Sequence, residues 1–149
     1  DVLNEAKVEY ALTTQYAFSA LDTADVCQFV FGPAWELLGM GDLANVITAV
    51  TGEETTVDDL LVIGARRLNL LRAYNAREGI TREQDTLPKR LFEPLTGGPS
   101  DGQSVDRGTW EAALETYYRM AGWDPGTGNP TRETLEGLDL AWVADEIGV

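Results

Sequence analysis

Between Thr56 and Gly79 the chain reads TVDDLLVIGARRLNLLRAYNAREG, and this stretch constrains the fold more than any other. Val57, Leu60, Leu61, Gly64, Leu68 and Leu71 recur at helical spacing on one stripe. Asp58 and Asp59 stand at its start, and Arg66, Arg67, Arg72 and Arg77 lie toward its end, the order that suits a helix dipole. Thr56 and Asp59 have the spacing of a capping box, and Gly79 is a natural stop. A helix over residues 57–77 is therefore predicted, and an element of this length needs helical neighbours to cover its stripe.

The flanking sequence supplies them. Leu3, Ala6, Tyr10, Thr13, Ala17 and Leu21 fall near helical spacing, which predicts a first helix over residues 1–21. Asp22 or Thr23 can cap a second helix that runs through Cys27 and stops before Gly32-Pro33. AWELLGMGDLANVITAV reads as a short helix, a turn at Gly41-Asp42 and another helix closed by Gly52. Thr81 and Gln84 have capping-box spacing at the start of one turn of helix, and Pro88 and Pro94 keep the chain beyond it irregular. Asp106 or Thr109 opens a helix whose apolar face is Trp110, Ala113, Leu114, Tyr117 and Tyr118, ended by Gly122. DPGTGNP is a turn cluster, and two short helices are expected around residues 131–138 and 140–147. VITAV is the one β-branched run, and its neighbours are helical. The expectation is an all-α, irregular multi-helix array without repeats. TGGPSDGQS, residues 96–104, is a loop between a helical region over 1–95 and a C-terminal helical region over 105–149.

Composition narrows the function. Of 149 residues, 25 are acidic and 11 basic, so the net charge of −14 argues against nucleic acid and against an anionic membrane face. No apolar run approaches the ~20 residues that span a bilayer. No secretory signal pattern opens the chain and a single cysteine forms no internal disulfide, so a cytoplasmic location is expected. There is no histidine, which removes Ser-His-Asp and Cys-His catalysis and the commonest zinc ligand. The loops after Asp101 and Asp124 lack oxygen donors at the alternating positions a calcium loop needs. No phosphate loop is present, and Glu53-Glu54 and Asp58-Asp59 are sequence neighbours with nothing to place them across a cleft. YNAREGITREQDTLPKR, residues 74–90, is either a solvated transition from helix to loop or a loop held in one shape beside a cofactor or partner. Cys27 taken alone is a small core residue as readily as a ligand.

Three stretches in order change that balance: DTADVC at 22–27, TGEETTVDDLLVIGARRLNLLRAYNAREGITREQDTLPKR at 51–90, and YYRMAGWDPGTGNPTRETLEGLDL at 117–140. Together they resemble the C-terminal part of the aldehyde ferredoxin oxidoreductases, tungsten- or molybdenum-pterin enzymes several times longer than this chain. The resemblance implies C-terminal helical domains that, with an N-terminal domain of the same polypeptide, enclose a metal bound by two pterin dithiolenes. It implies a [4Fe–4S] cluster that passes electrons to ferredoxin as an aldehyde becomes a carboxylic acid. Three cluster cysteines would come from an upstream C-x-x-C-x-x-x-C stretch and the fourth from a D-x-x-G-[LV]-C motif. Here that motif is Asp22 to Cys27, with Asp25 in place of the family's glycine.

By resemblance, Cys27 is the fourth iron ligand, the backbone around Val26 and Cys27 abuts the pterin, and Asp22 accepts hydrogen bonds from pterin N–H groups. No catalytic residue is assigned within the chain. With one cysteine it cannot build the cluster, so the isolated chain is expected to hold no cofactor and to be inactive. Its acidic charge disfavours it as a landing face for an acidic ferredoxin. The alternative is a stand-alone acidic helical module that binds a protein partner and catalyses nothing.

Overall fold

The structure is a computed structural model that describes residues 3–32 and 37–149. Among these residues it contains seven α-helices and no strand beyond one isolated bridge, Trp123 with Pro130. The helices are α1 (Glu5–Thr23), α2 (Gln28–Phe31), α3 (Met40–Thr51), α4 (Val57–Arg77), α5 (Arg107–Ala121), α6 (Arg132–Gly137) and α7 (Ala141–Ile147). Short 3-10 turns occupy Arg82–Gln84 and Lys89–Phe92. The all-α expectation is met.

The long central helix falls where its caps place it. Thr56 Oγ1 accepts from the Asp59 N–H at 3.2 Å and the Asp59 carboxylate accepts from the Thr56 N–H at 2.8 Å. At the other end Gly79 has φ +85°, and Ile80 N–H reaches back to Asn75 at 2.9 Å, a left-handed glycine stop. The same reciprocal cap holds Thr81 and Gln84, and Asp106 caps α5 through the Thr109 N–H at 2.8 Å.

Three elements start elsewhere than the sequence predicts. The first helix begins at Glu5, capped by Asn4, and runs on through Asp22 and Thr23. Those two residues form its last turn and do not open a second helix. Cys27 is not inside a helix either; it is the N-cap of the four-residue α2. The third helix starts at Met40 with Gly39 as its N-cap, so Gly41-Asp42 is the first turn and not a break. Asp42 decides this, because its carboxylate accepts from the Gly39 N–H at 2.7 Å. The short helix expected upstream falls largely on residues 33–36, outside the described residues.

Packing centres on α1 and α4, with α5 on the first half of α1, α3 against α4, and α7 on the second half of α4. Gly64 lets the two long helices meet backbone to backbone, since a Cβ there would stand 1.9 Å from the Tyr16 carbonyl oxygen. One core gathers Ala20, Leu21, Leu43, Ala44 and Leu60 at the end of α1 that carries Asp22. Another joins Leu12, Tyr118, Ala121 and Trp123, and a third joins Ala73, Leu135, Leu140, Val143 and Ala144. The predicted stripe of α4 is only partly the buried one. Leu60 and Gly64 are buried, Val57 and Leu71 are exposed, and the second half buries Asn69, Arg72 and Ala73.

Candidate functional site

The segment Asp22–Cys27 is shaped by the way α1 ends. Val26 N–H bonds the Leu21 carbonyl at 3.2 Å and Asp25 N–H bonds the Asp22 carbonyl at 3.3 Å. Asp25 lies between them at φ +55°. This is a Schellman stop with Asp25 at the left-handed position that glycine usually fills. Val26 completes the motif by packing on the core that contains Leu21. The chain then turns so that Cys27 caps α2, its carbonyl accepting from Val30 at 3.0 Å and Phe31 at 3.2 Å. Gly32 closes α2 against Phe18, whose ring would stand 2.7 Å from a Cβ at that position.

Asp22 and Cys27 are therefore held on one short, rigid turn, and both are exposed. The two oxygens of Asp22 have different partners. Oδ2 pairs with Arg67 Nη1 of α4 at 3.0 Å, and Oδ1 accepts from the Gln28 side-chain amide. The same Arg67 nitrogen lies 3.4 Å from the hydroxyl of Ser19, a buried residue one turn earlier on α1. The residues that follow Cys27 on α2 are apolar and exposed, Phe29 at 86% and Val30 at 41%.

This donor set suits part of an iron–sulfur and pterin site and not the whole of one. An exposed thiol on a fixed turn can give one thiolate to iron, and an exposed carboxylate five residues earlier offers acceptors to a donor-rich ring. Among the described residues no group of three or more His, Cys, Asp or Glu side chains is placed to hold a metal ion.

A second polar assembly joins the other two diagnostic stretches. Arg72 of α4, buried, forks onto Asp85, Nη1 to Oδ1 at 3.0 Å and Nη2 to Oδ2 at 2.6 Å. Its Nε donates to the Gly128 carbonyl at 2.7 Å, and its guanidinium lies 5.1 Å from the Trp123 ring centroid. Tyr118 donates its hydroxyl to Asp85 Oδ2 at 2.5 Å. Burial and the neighbouring Asp85 carboxylate push the Tyr118 phenol well above its ordinary pKa. Trp123 donates from its indole to Asn69 at 2.8 Å. Arg82 reaches Glu111 at 3.0 Å and the carbonyl of Pro125. Residues 81–86 are thus a loop held in one shape, tied to the Gly-rich turn at 122–130 by buried charge. Arg67, Gln28 and Arg72 escaped sequence reasoning, because nothing local to an arginine or a glutamine tells which carboxylate it will meet.

Alongside this assembly lies a cavity of about 750 Å³ between the first half of α1, the second half of α4, and α5. Leu68, Trp110, Leu114 and Tyr117 give it apolar walls, and Gln15, Arg72 and Asp85 reach its edge. It sits at the end of α1 remote from Asp22.

The family model described as aldehyde ferredoxin oxidoreductase, domains 2 and 3, matches residues 1–140. The tungsten-containing aldehyde ferredoxin oxidoreductase of Pyrococcus furiosus is 33% identical over 142 residues, covering 93% of this chain and 22% of that protein. The enzyme of the same description from Thermococcus kodakarensis is also 33% identical over 142 residues, with the same coverage. An aliphatic sulfonate oxidoreductase, WOR-like subunit, of Pyrococcus furiosus is 28% identical over 127 residues, or 85% of this chain and 20% of that one. Among solved structures, the active site complex BamBC of benzoyl coenzyme A reductase with 1,5-dienoyl-CoA superposes with a TM-score of 0.75. That match is 23% identical and covers 93% of this chain and 20% of the other, which is a likeness of fold. The chain spans about a fifth of the length of the relatives it matches. With the family model matched over residues 1–140 and 33% identity over 93% of the chain, the chain belongs to the aldehyde ferredoxin oxidoreductase family, over its domains 2 and 3.

Proposed function

We propose that this chain is the helical wall of a tungsten- or molybdenum-pterin oxidoreductase that converts an aldehyde and water to a carboxylic acid, two electrons and two protons. The electrons leave through a [4Fe–4S] cluster to ferredoxin. The observation that carries the proposal is the turn at residues 22–27, which presents an exposed carboxylate and an exposed thiol on one rigid helix stop. In the assembled enzyme the metal–pterin group supplies the oxidation chemistry, and the cluster supplies the electron exit.

The residues of this chain bind and orient. Cys27 gives a thiolate to one iron, and Asp22 accepts N–H donors of a pterin edge. Val26 anchors the turn by burying its side chain on the core of α1, α3 and α4. Asp25 keeps the backbone course that a glycine would take, so its presence leaves the turn intact. The remaining cluster cysteines belong to another part of the polypeptide, and the exposed Phe29 and Val30 that follow Cys27 offer apolar surface for that part to cover.

The test is aldehyde-dependent reduction of a viologen dye by the full-length protein, with the product acid measured. Stoichiometric carboxylate supports the proposal. A fully metallated protein that reduces no dye with aliphatic or aromatic aldehydes refutes the aldehyde assignment.

A further inference from the structure

The two oxygens of Asp22 are held by partners of opposite character. Oδ2 faces a permanent cation on a neighbouring helix, Arg67, at 3.0 Å, with 38% of the Asp22 side chain and 37% of the Arg67 side chain accessible. Arg67 is itself located by the hydroxyl of buried Ser19 at 3.4 Å, so its position is set by the packed α1–α4 interface. Oδ1 meets a primary carboxamide on Gln28, an exposed residue in the first turn of α2. Its N–H donors are neutral and amide-like, the same hydrogen-bonding chemistry as the amino and lactam N–H groups on the edge of a pterin.

We propose that Arg67 is a positioning residue for Asp22 and that Gln28 is a placeholder on its free oxygen. This rests on the proposed role of Asp22 in binding the pterin. Arg67 fixes the rotation of the carboxylate by engaging one oxygen from the α4 side. The other oxygen is left to the exposed Gln28 amide. When a pterin edge arrives, its N–H donors replace the Gln28 amide one for one, and the Arg67 pair stays in place. The acceptor is paired before the exchange and after it, which keeps the cost of loading the site small. Without Arg67, nothing would fix the direction of the carboxylate once the Gln28 amide is displaced.

The two residues therefore have opposite consequences on substitution. The experiment compares Asp22→Ala, Arg67→Met, Arg67→Lys and Gln28→Ala in the full-length protein, purified with its cofactors. The readouts are pterin released by oxidation and measured by fluorescence, tungsten or molybdenum per polypeptide, and iron per polypeptide. Asp22→Ala sets the scale of loss. Arg67→Met is expected to lower pterin to within twofold of Asp22→Ala, while iron and the melting temperature stay near wild type. Arg67→Lys, which restores the charge, is expected to recover at least half of the lost pterin. Gln28→Ala is expected to keep wild-type pterin.

Wild-type pterin in Arg67→Met beside a loss in Asp22→Ala overturns the positioning role and leaves the role of Asp22 standing. Wild-type pterin in Asp22→Ala overturns the reading of Asp22 itself, and this proposal with it. Equal loss in Arg67→Met and Arg67→Lys, with a fallen melting temperature in both, makes Arg67 a tie between helices and nothing more. Loss of pterin in Gln28→Ala makes Gln28 a ligand and not a placeholder.

Discussion

Asp25 takes φ +55° at the helix stop that carries Asp22 and Cys27. Left-handed backbone is tolerated by aspartate and asparagine far better than by branched residues. Asp25→Val is therefore expected to destabilise by about 1–2 kcal/mol, and Asp25→Gly to leave stability within about 1 kcal/mol of wild type. Chemical denaturation of the two variants checks this. Arg72 is a sharper case, because it is buried and its fork holds Asp85 while the Tyr118 hydroxyl shares the same carboxylate. Arg72→Met keeps much of the stem and removes the charge, which leaves a partly buried carboxylate without its cation. A loss of about 3 kcal/mol is expected from urea titration, since breaking one side of a buried pair costs far more than an exposed pair contributes. The 74–90 stretch and the DPGTGNP turn cluster were visible in the sequence. Their joining by Arg72 was not, because that contact spans 56 residues to Gly128 and 13 to Asp85.

At the scale of helices, local signals decided most boundaries and tertiary contacts decided the rest. The caps at Thr56, Thr81 and Asp106 are written in residues three apart, so those starts were legible. The end of α1 was not. Asp22 and Thr23 are good caps by residue type, and the Thr23 hydroxyl instead bonds back to the Ser19 carbonyl at 2.8 Å inside the helix. What ends α1 is the left-handed residue two positions later, and an aspartate there does not announce itself as a glycine would. The buried face of α4 also departs from its apolar stripe. Its second half packs Asn69 and Arg72 because the 122–130 turn and Asp85 give them partners. Gly64 was legible as part of a stripe but not as the crossing point of two backbones. Gly64→Ala is expected to cost about 1–3 kcal/mol, seen as a lower melting temperature with helix content unchanged, because the clash is with backbone that cannot swing aside.

Over the whole molecule, acidic residues outnumber basic ones by 25 to 11, and four of the arginines serve as internal ties. Arg66 bonds the Leu138 carbonyl and Asp139, Arg67 bonds Asp22, Arg72 bonds Asp85, and Arg132 bonds Asp145. Stability is also linked to alkaline pH. Tyr117 and Tyr118 both have phenol pKa values raised above 10.0 in the fold, chiefly by burial. A raised folded value means their contribution is full below about pH 10, where the unfolded chain also keeps the proton. It is lost as pH climbs through the folded value. Thermal unfolding across pH 9 to 12 is expected to show a midpoint that holds and then falls above about pH 10. Tyr118→Phe is expected to lessen the slope of that fall.

The proposed function depends above all on Cys27 serving as one ligand of a cluster whose other ligands lie elsewhere in the polypeptide. Its thiol is exposed on a fixed turn, free of any disulfide, beside an apolar surface. The deciding measurement is the low-temperature EPR spectrum of the dithionite-reduced full-length protein, wild type against Cys27→Ser. A changed or missing reduced-cluster signal in the variant, with iron per polypeptide lowered, is the expected result. An identical signal with four irons retained would contradict the ligand role.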